Sequence, residues 1–290
     1  AEINLDNINF NLNNIRKLLK EDTKICTVLK ANAYGHGSVE IAKFLENKNV
    51  DYFAVARLEE AIELRENNIK MPILCLGFVP EESLEYALEN NITLTIYSLE
   101  MAKKLNDISE KTGITANIHI KIDTGMGRIG FKVDKESVET ISRISKLPNI
   151  KMEGMFTHFA KADEFDKSYT FVQHEKFLWM KEQLETNEVQ ISYYDCDNSA
   201  GIIDFPDMKH DLARAGISIY GMYPSDEVKK DAVDLKPALE LISHISFVKD
   251  VEKGTSISYG GTFVAPKEMR IATIPVGYGD GYPRSLSNKG

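Results

Sequence analysis

The chain of 290 residues is 43% hydrophobic and 27% charged, a balance that excludes a disordered segment and suffices for one or two sizeable cores. Its formal net charge of −9 gives no electrostatic support for gripping nucleic-acid phosphates or an anionic membrane, so neither partner is expected. Cys26, Cys75 and Cys196 form no CxxC pair and no paired Cys/His cluster, so they read as reduced bystander thiols with no metal site. No apolar run reaches the roughly 18 residues of a membrane span. The opening Ala1–Asp6 has neither the basic start nor the apolar core of a signal peptide, and a cytoplasmic enzyme is expected.

Along the chain, Ile8, Leu12, Ile15 and Leu19 recur at spacings of three and four and predict an amphipathic helix. Then come eight short apolar, β-branched runs: Ile25–Leu29, Tyr52–Ala56, Ile73–Leu76, Ile92–Ile96, Ala116–Ile122, Met152–Thr157, Ile191–Tyr194 and Ile217–Tyr220. Near-continuous apolar runs suit parallel strands buried on both faces. Helical patterns separate them: Leu58, Ala61, Ile62 and Arg65 share one, Pro80 opens another, and Ser98 is placed to N-cap a third. This α/β alternation predicts a (β/α)8 TIM-type barrel over residues 1–224, a doubly wound open sheet being the alternative. After Tyr220 the texture changes. Ser225 to Asp234 reads as a linker, and Ile242–Val248, Ile257–Tyr259 and Arg270–Pro275 as strands of a predominantly β C-terminal domain over residues 225–290. With so few strands, that domain is expected to be incomplete.

The segments that carry chemistry fall at strand ends. Val28–Gly37 places Lys30 where an apolar strand emerges; desolvation there lowers an ammonium pKa and suits the amine to Schiff-base chemistry. A solvated surface lysine is the commoner case, but Gly35 and Gly37 permit close backbone approach and Tyr34 offers a hydroxyl to an anion. Lys121–Gly130 presents Arg128 from a glycine-flanked loop, where a planar guanidinium can meet a carboxylate or phenolate, or simply lie in solvent. A lone histidine such as His158 is as often structural as catalytic. Asn198–Gly201 and Arg214–Ile217 supply a small hydroxyl and glycine N–H groups near the last two strands, as a phosphate site there requires, though caps and turns use the same residues. Tyr259 and Tyr278 lie in glycine-rich β segments; a tyrosine, with a pKa near 10, becomes a base at neutral pH only if its neighbours help, and hairpin positions are the alternative.

Together these segments resemble the alanine racemases, whose motifs VxKANAYGHG, KxDTGMGRxG, THF(A/S)xAD, SYG(A/G)T(Y/F) and IPxGYxDGxxR occur here in order. The resemblance implies a homodimeric isomerase that uses pyridoxal 5′-phosphate (PLP) to interconvert L- and D-alanine, supplying D-alanine for peptidoglycan. It implies that Lys30 bonds covalently to the cofactor and that Tyr34, Asn198, Ser199, Gly216 and Ile217 belong to the cofactor and phosphate site. Arg128 would meet the cofactor phenolic oxygen and the substrate carboxylate, held in place by Lys121, a candidate for carbamylation. His158 would support the ring, and Arg214 would face the pyridine nitrogen, where an arginine weakens the ring as an electron sink. Lys30 and Tyr259 would be the two acid/base groups, Tyr259 reaching the partner subunit's site, with Tyr278 near the substrate. The resemblance also implies that the family's last β-domain residues lie beyond Gly290. A serine or broad-specificity racemase of the same fold, a PLP-binding protein without turnover, and a phosphate-binding barrel without PLP are the alternatives.

Overall fold

Seven of the apolar runs, with Leu212–Ala215, form eight parallel strands in the computed structural model, which describes residues 1–289. They are β1 (Lys24–Val28), β2 (Tyr52–Val55), β3 (Ile73–Cys75), β4 (Ile92–Ile96), β5 (Ala116–Lys121), β6 (Ile150–Phe156), β7 (Tyr193–Asp195) and β8 (Leu212–Ala215). Hydrogen bonding runs in the order β7-β6-β5-β4-β3-β2-β1-β8. Helix α1 (Leu5–Lys17) precedes the ring; α2 (Ser38–Leu45), α3 (Leu58–Glu66), α4 (Leu84–Glu89), α5 (Leu99–Thr112), α6 (Lys135–Ile144), α7 (Ser168–Thr186) and α8 (Ser199–Asp204) follow β1 to β7 in turn. This is the expected (β/α)8 barrel.

The clearest helices form where the sequence supplies a stripe and a cap. In α1 the stripe is Ile8, Leu12 and Ile15, all buried, and Asn4 caps it by accepting from the Asn7 N–H at 3.0 Å. Ser98 caps α5 as expected, accepting from the Met101 N–H at 3.2 Å, and Gly113 ends that helix at φ 70°. Pro80 stands just ahead of a 3-10 turn, Glu81–Ser83, that leads into α4. The outward strand faces and the helices share one large core, while Cys26, Val28, Tyr52, Ala54, Leu74 and Leu212 pack as a smaller second cluster. Each fully buried Leu or Ile contributes about 1.5–3 kcal/mol to holding the helices on the ring.

Seven of the eight strand junctions are parallel ladders, that between β5 and β6 with a register shift between Ile118 and His119. The eighth, between β7 and β8, has a single bridge, Asp197 to Ala213. Around it Asp211 N–H donates to Tyr194 O at 3.1 Å, Tyr194 N–H to Asp211 Oδ2 at 2.9 Å, and Arg214 N–H to Asp197 O at 3.2 Å. Side chains do part of the closing.

The expected eighth strand needs correction. Ile217–Tyr220 is a 3-10 turn, not the eighth strand, which is Leu212–Ala215. Ile-Ser-Ile-Tyr alternates like a half-buried strand, whereas Arg214 interrupts the apolar run of the real one. Residues 225–239, read as a linker and the start of the second domain, pack with the barrel: Val228 and Val233 are buried, and Lys229 N–H donates to Asp204 Oδ1 at 2.9 Å. The chain divides into two compact units, Ile3–Leu239 and a second formed by Ala1–Glu2 with the residues from Glu240 on. Within the second unit, β9 (Phe247–Val251) pairs antiparallel with β12 (Met269–Thr273), and β10 (Ser256–Ile257) with β11 (Phe263–Val264). Tyr259 and Tyr278, expected in β segments, start 3-10 turns.

His119 on β5 is enclosed, 1% exposed, against Gly154 of β6, where any Cβ would lie 2.5 Å from the imidazole. Burial, reinforced by the Arg214 charge, pushes its pKa down to about 3. The unfolded chain takes that proton near 6.5 and the folded chain does not. The resulting stability is present above pH 6.5 and is lost as pH falls toward 3, by about 1.4 kcal/mol per pH unit. Denaturant unfolding of His119→Leu at a series of pH values should therefore show a shallower acid-side decline than the parent chain; an unchanged slope would contradict this.

Candidate active site

A cavity of about 280 Å³ opens where the strands of the barrel end. Its lining includes Lys30, Tyr34, Lys121, Arg128, His158, Asn198, Ser199, Arg214, Gly216 and Ile217. These ten, expected from five separate stretches of sequence, converge because each lies in β8 or at or just past a strand's C-terminal end. Tyr259 and Tyr278 are not in the lining; they stand 90% and 67% exposed on the second unit.

Lys30 does not simply leave a strand. It opens a short turn, Lys30–Gly35, in which Ala31, Asn32, Ala33 and Tyr34 all have φ of 53–54°. Left-handed geometry costs non-glycine residues about 1–2 kcal/mol each, so the turn persists only because its surroundings hold it. Glu60 Oε1 accepts from Ala31 N–H at 2.6 Å, Asn32 Oδ1 accepts from Ser38 N–H at 2.8 Å, and Ala33 N–H donates to Leu29 O at 2.8 Å. The turn folds Tyr34 back beside Tyr220, ring centroids 5.2 Å apart.

Tyr34, Ser199 and Gly216 make a small polar cradle. Ser199 Oγ accepts from the N–H groups of Gly216 at 3.1 Å and Ser218 at 3.3 Å. A Cβ at Gly216 would sit 3.1 Å from the Tyr34 hydroxyl and 3.7 Å from Ser199 Oγ, so only glycine leaves the space open. Burial pushes the Tyr34 pKa up, keeping its hydroxyl a donor. Asn198 caps α8, its Oδ1 accepting from Gly201 N–H at 2.9 Å.

The cations define the rest. Burial, then Arg128, depress the Lys30 pKa; burial, then Arg214 and Arg128, hold that of Lys121 well below the ordinary value. Lys121 is 1% exposed and donates to Ile122 O at 3.2 Å. Arg128 is exposed, on a loop fixed by Asp123 Oδ1, which accepts from Gly125 and Gly127 N–H at 3.0 Å each. A Cβ at Gly130 in this loop would meet Asp123 N at 2.5 Å.

Arg214 is 3% exposed. It forms an ion pair with Asp195, donates to Thr157 O at 2.7 Å, meets His158 Nδ1 at 3.5 Å and lies 5.0 Å from the centre of the Phe156 ring. Burial lowers its pKa to about 10, which leaves it cationic at neutral pH. His158 Nδ1 can only accept from a guanidinium, and burial with the surrounding cations holds its pKa well below the usual value, so the ring is neutral. Sequence reasoning missed Asp195, Thr157 and Glu60. A signal for Asp195 was available: alternate carboxylates in Tyr-Tyr-Asp-Cys-Asp are costly on a buried strand unless a cation meets them.

An amine beside a hydroxyl-lined cradle, ringed by guanidinium groups at the mouth of a barrel, defines a class of (β/α)8 enzyme that holds a phosphorylated, amine-reactive group. Family models described as "Alanine racemase, N-terminal domain" and "Alanine racemase, C-terminal domain" match residues 3–224 and 238–290. The alanine racemase of Clostridium tetani (strain Massachusetts / E88) is 49% identical over 290 residues, covering 100% of this chain and 75% of that protein. The solved alanine racemase of Clostridium difficile 630 is 52% identical, with a TM-score of 0.93 over 98% of this chain and 74% of that one. A histidine racemase from Leuconostoc mesenteroides subsp. sake NBRC 102480 is 30% identical, with a TM-score of 0.87 over 97% and 75%. The chain belongs to the alanine racemase family, whose members depend on PLP. The cavity fits that group by its own chemistry, with a nucleophilic lysine, a cradle that a Cβ would fill, and a cationic wall for a dianion.

Removing the carboxylate behind Arg214 tests the wall. Asp195→Ala leaves a buried guanidinium without its counter-charge and should cost about 3–5 kcal/mol of unfolding free energy. A loss below about 1 kcal/mol in denaturant titration would show that the pair is not structurally required.

Proposed function

We propose that this chain interconverts L- and D-alanine, with PLP anchored on Lys30. The observation that carries the reading is the placement of the Lys30 amine in one cavity with Arg128, Arg214 and the Tyr34–Ser199–Gly216 cradle. Bound PLP supplies an electrophilic carbon for the amino group and a conjugated ring that spreads the charge left when Cα loses its proton.

The chain's own residues divide the remaining work. Tyr34, Asn198, Ser199 and the backbone at Gly216 and Ile217 hold the phosphate. Arg128 would orient the substrate carboxylate and meet the phenolic oxygen of bound PLP. Arg214 would face the pyridine nitrogen of bound PLP as a cation that cannot take up its proton, with neutral His158 beside it. Lys30 Nζ, its pKa already depressed, moves a proton on and off the face used by D-alanine. Tyr259 Oη does the same on the opposite face for L-alanine. Its exposure on the second unit supports delivery to the cavity of a second copy of the chain, in a homodimer whose barrel carries the cofactor and whose β-rich region carries the second base. Tyr278, also exposed, belongs to the same contribution near the substrate.

Lys121 is suited to carbamylation, since burial, then two guanidinium groups, hold its pKa well below the ordinary value and the neutral amine can add to CO2. The new N–C bond forms, a proton leaves to water, and the carbamate stays as a counter-charge for Arg128. Among the described residues no helix is long and apolar enough to cross a membrane; a cytoplasmic location is part of the proposal, supported by three buried, unpaired cysteines.

Deuterium wash-in at Cα, followed by NMR with each enantiomer of alanine and of serine, tests the reading. Both alanine enantiomers should exchange and racemise faster than serine. Tyr259→Ala should slow exchange from L-alanine by about 10²-fold or more and affect D-alanine less. Faster turnover of serine would overturn the substrate assignment, and equal losses in both directions would overturn the assigned faces.

A further inference from the structure

The seam between β7 and β8 carries a second cluster of chemically active side chains on its other side. Cys196 is the first residue after β7, His210 lies just before β8, and His174 belongs to α7, which packs outside the barrel. The Nε2 atoms of His174 and His210 face each other at 3.0 Å, and one ring nitrogen of each histidine and the Cys196 sulfur all lie within 4.8 Å of one another. Cys196 is fully buried; the two histidines are partly exposed.

Two imidazole nitrogens pointed at each other can share only one hydrogen, and burial lowers both pKa values, that of His210 to about 4, so neither ring readily supplies a second. The arrangement leaves lone-pair donors converging on a point with a thiol beside them. Two imidazoles and a thiol form the donor set that selects soft or borderline transition metals over calcium or magnesium. The nearby carboxylate, Asp211, is already engaged by the Tyr194 N–H. A tetrahedral ion about 2.0–2.1 Å from each nitrogen holds them about 3.3 Å apart, a few tenths of an ångström wider than found. Drawing the sulfur in to about 2.3 Å from the ion needs side-chain adjustment on the order of 1 Å. The partial exposure of the histidines provides an entry path and leaves a fourth position for water.

We propose that His174, Cys196 and His210 form a binding site for a borderline-soft divalent transition-metal ion, of which zinc(II) is the representative. As the metal–sulfur bond forms, the thiol proton passes to solvent. The bound ion ties α7 to the two strands whose junction has one bridge in place of a ladder. It acts through Cys196, which directly follows Asp195, the partner of Arg214, and precedes Asn198 and Ser199 of the cradle. The metal is thus a fastener on the outside of the seam whose inside forms the cofactor wall. The spacing of the three residues in sequence, 22 and then 14 positions, resembles no common metal motif; only the closing of the barrel brings them together.

The test uses the tag-free, PLP-loaded chain stripped of metal with a chelator. Titration with cobalt(II) should produce one equivalent of binding with thiolate-to-cobalt charge-transfer absorption, displaced by zinc(II), and the thermal midpoint should rise with zinc(II). Cys196→Ser should abolish the charge-transfer absorption. His174→Gln, at a partly exposed position that tolerates the change, should weaken zinc(II) binding at least about tenfold. Absence of thiolate-to-cobalt absorption in the parent chain, or unchanged zinc(II) affinity in His174→Gln, overturns the proposal even if Cys196→Ser fails to fold.

Discussion

The buried ion pair between Arg214 and Asp195 is the interaction on which the rest of the site depends. The two residues sit on β8 and β7, the neighbouring strands joined by a single bridge in place of a ladder. A guanidinium inside a barrel is tolerated only with a counter-charge and hydrogen-bond acceptors, here Asp195 and the Thr157 carbonyl. Placed there, it closes the barrel, helps suppress protonation of His158, and lowers the pKa values of Lys30 and Lys121. One charge therefore serves both the fold and the chemistry.

The same logic explains the concentration of costly features at one end of the barrel. Four consecutive residues in left-handed geometry, two depressed lysines and a neutral histidine are each unfavourable in isolation. Glu60, Asn32 and Asp123 offset that cost by accepting backbone N–H groups in the loops that carry Lys30 and Arg128. The resulting cavity is cationic and presents hydroxyl and N–H donors, so it favours an anionic cofactor and an amino-acid carboxylate without large rearrangement.

The barrel was legible in the sequence because strands buried on both faces must be apolar along their length, and seven of the expected runs fall on observed strands. The eighth was not, since Arg214 interrupts its apolar run and the sequence does not show that Asp195 neutralises it. The motif residues of the site were legible by resemblance, their convergence by the rule that barrel chemistry collects at strand ends. The left-handed turn was hidden: Ala-Asn-Ala-Tyr carries no glycine to announce positive φ, and the turn is held by Glu60 from a different helix. Asp195 and the His174–Cys196–His210 cluster were hidden for a related reason, as their meaning arises only from partners brought near by closure of the ring.

The central claim is that Lys30, set on its strained turn and surrounded by the charges of Arg128 and Arg214, is the residue to which the cofactor bonds. Borohydride reduction of the PLP-loaded chain, followed by proteolysis and mass spectrometry, tests this directly. One pyridoxyl adduct is expected, on the peptide that contains Lys30. An adduct on Lys121 or any other lysine, or no adduct in a chain that racemises alanine, would contradict it.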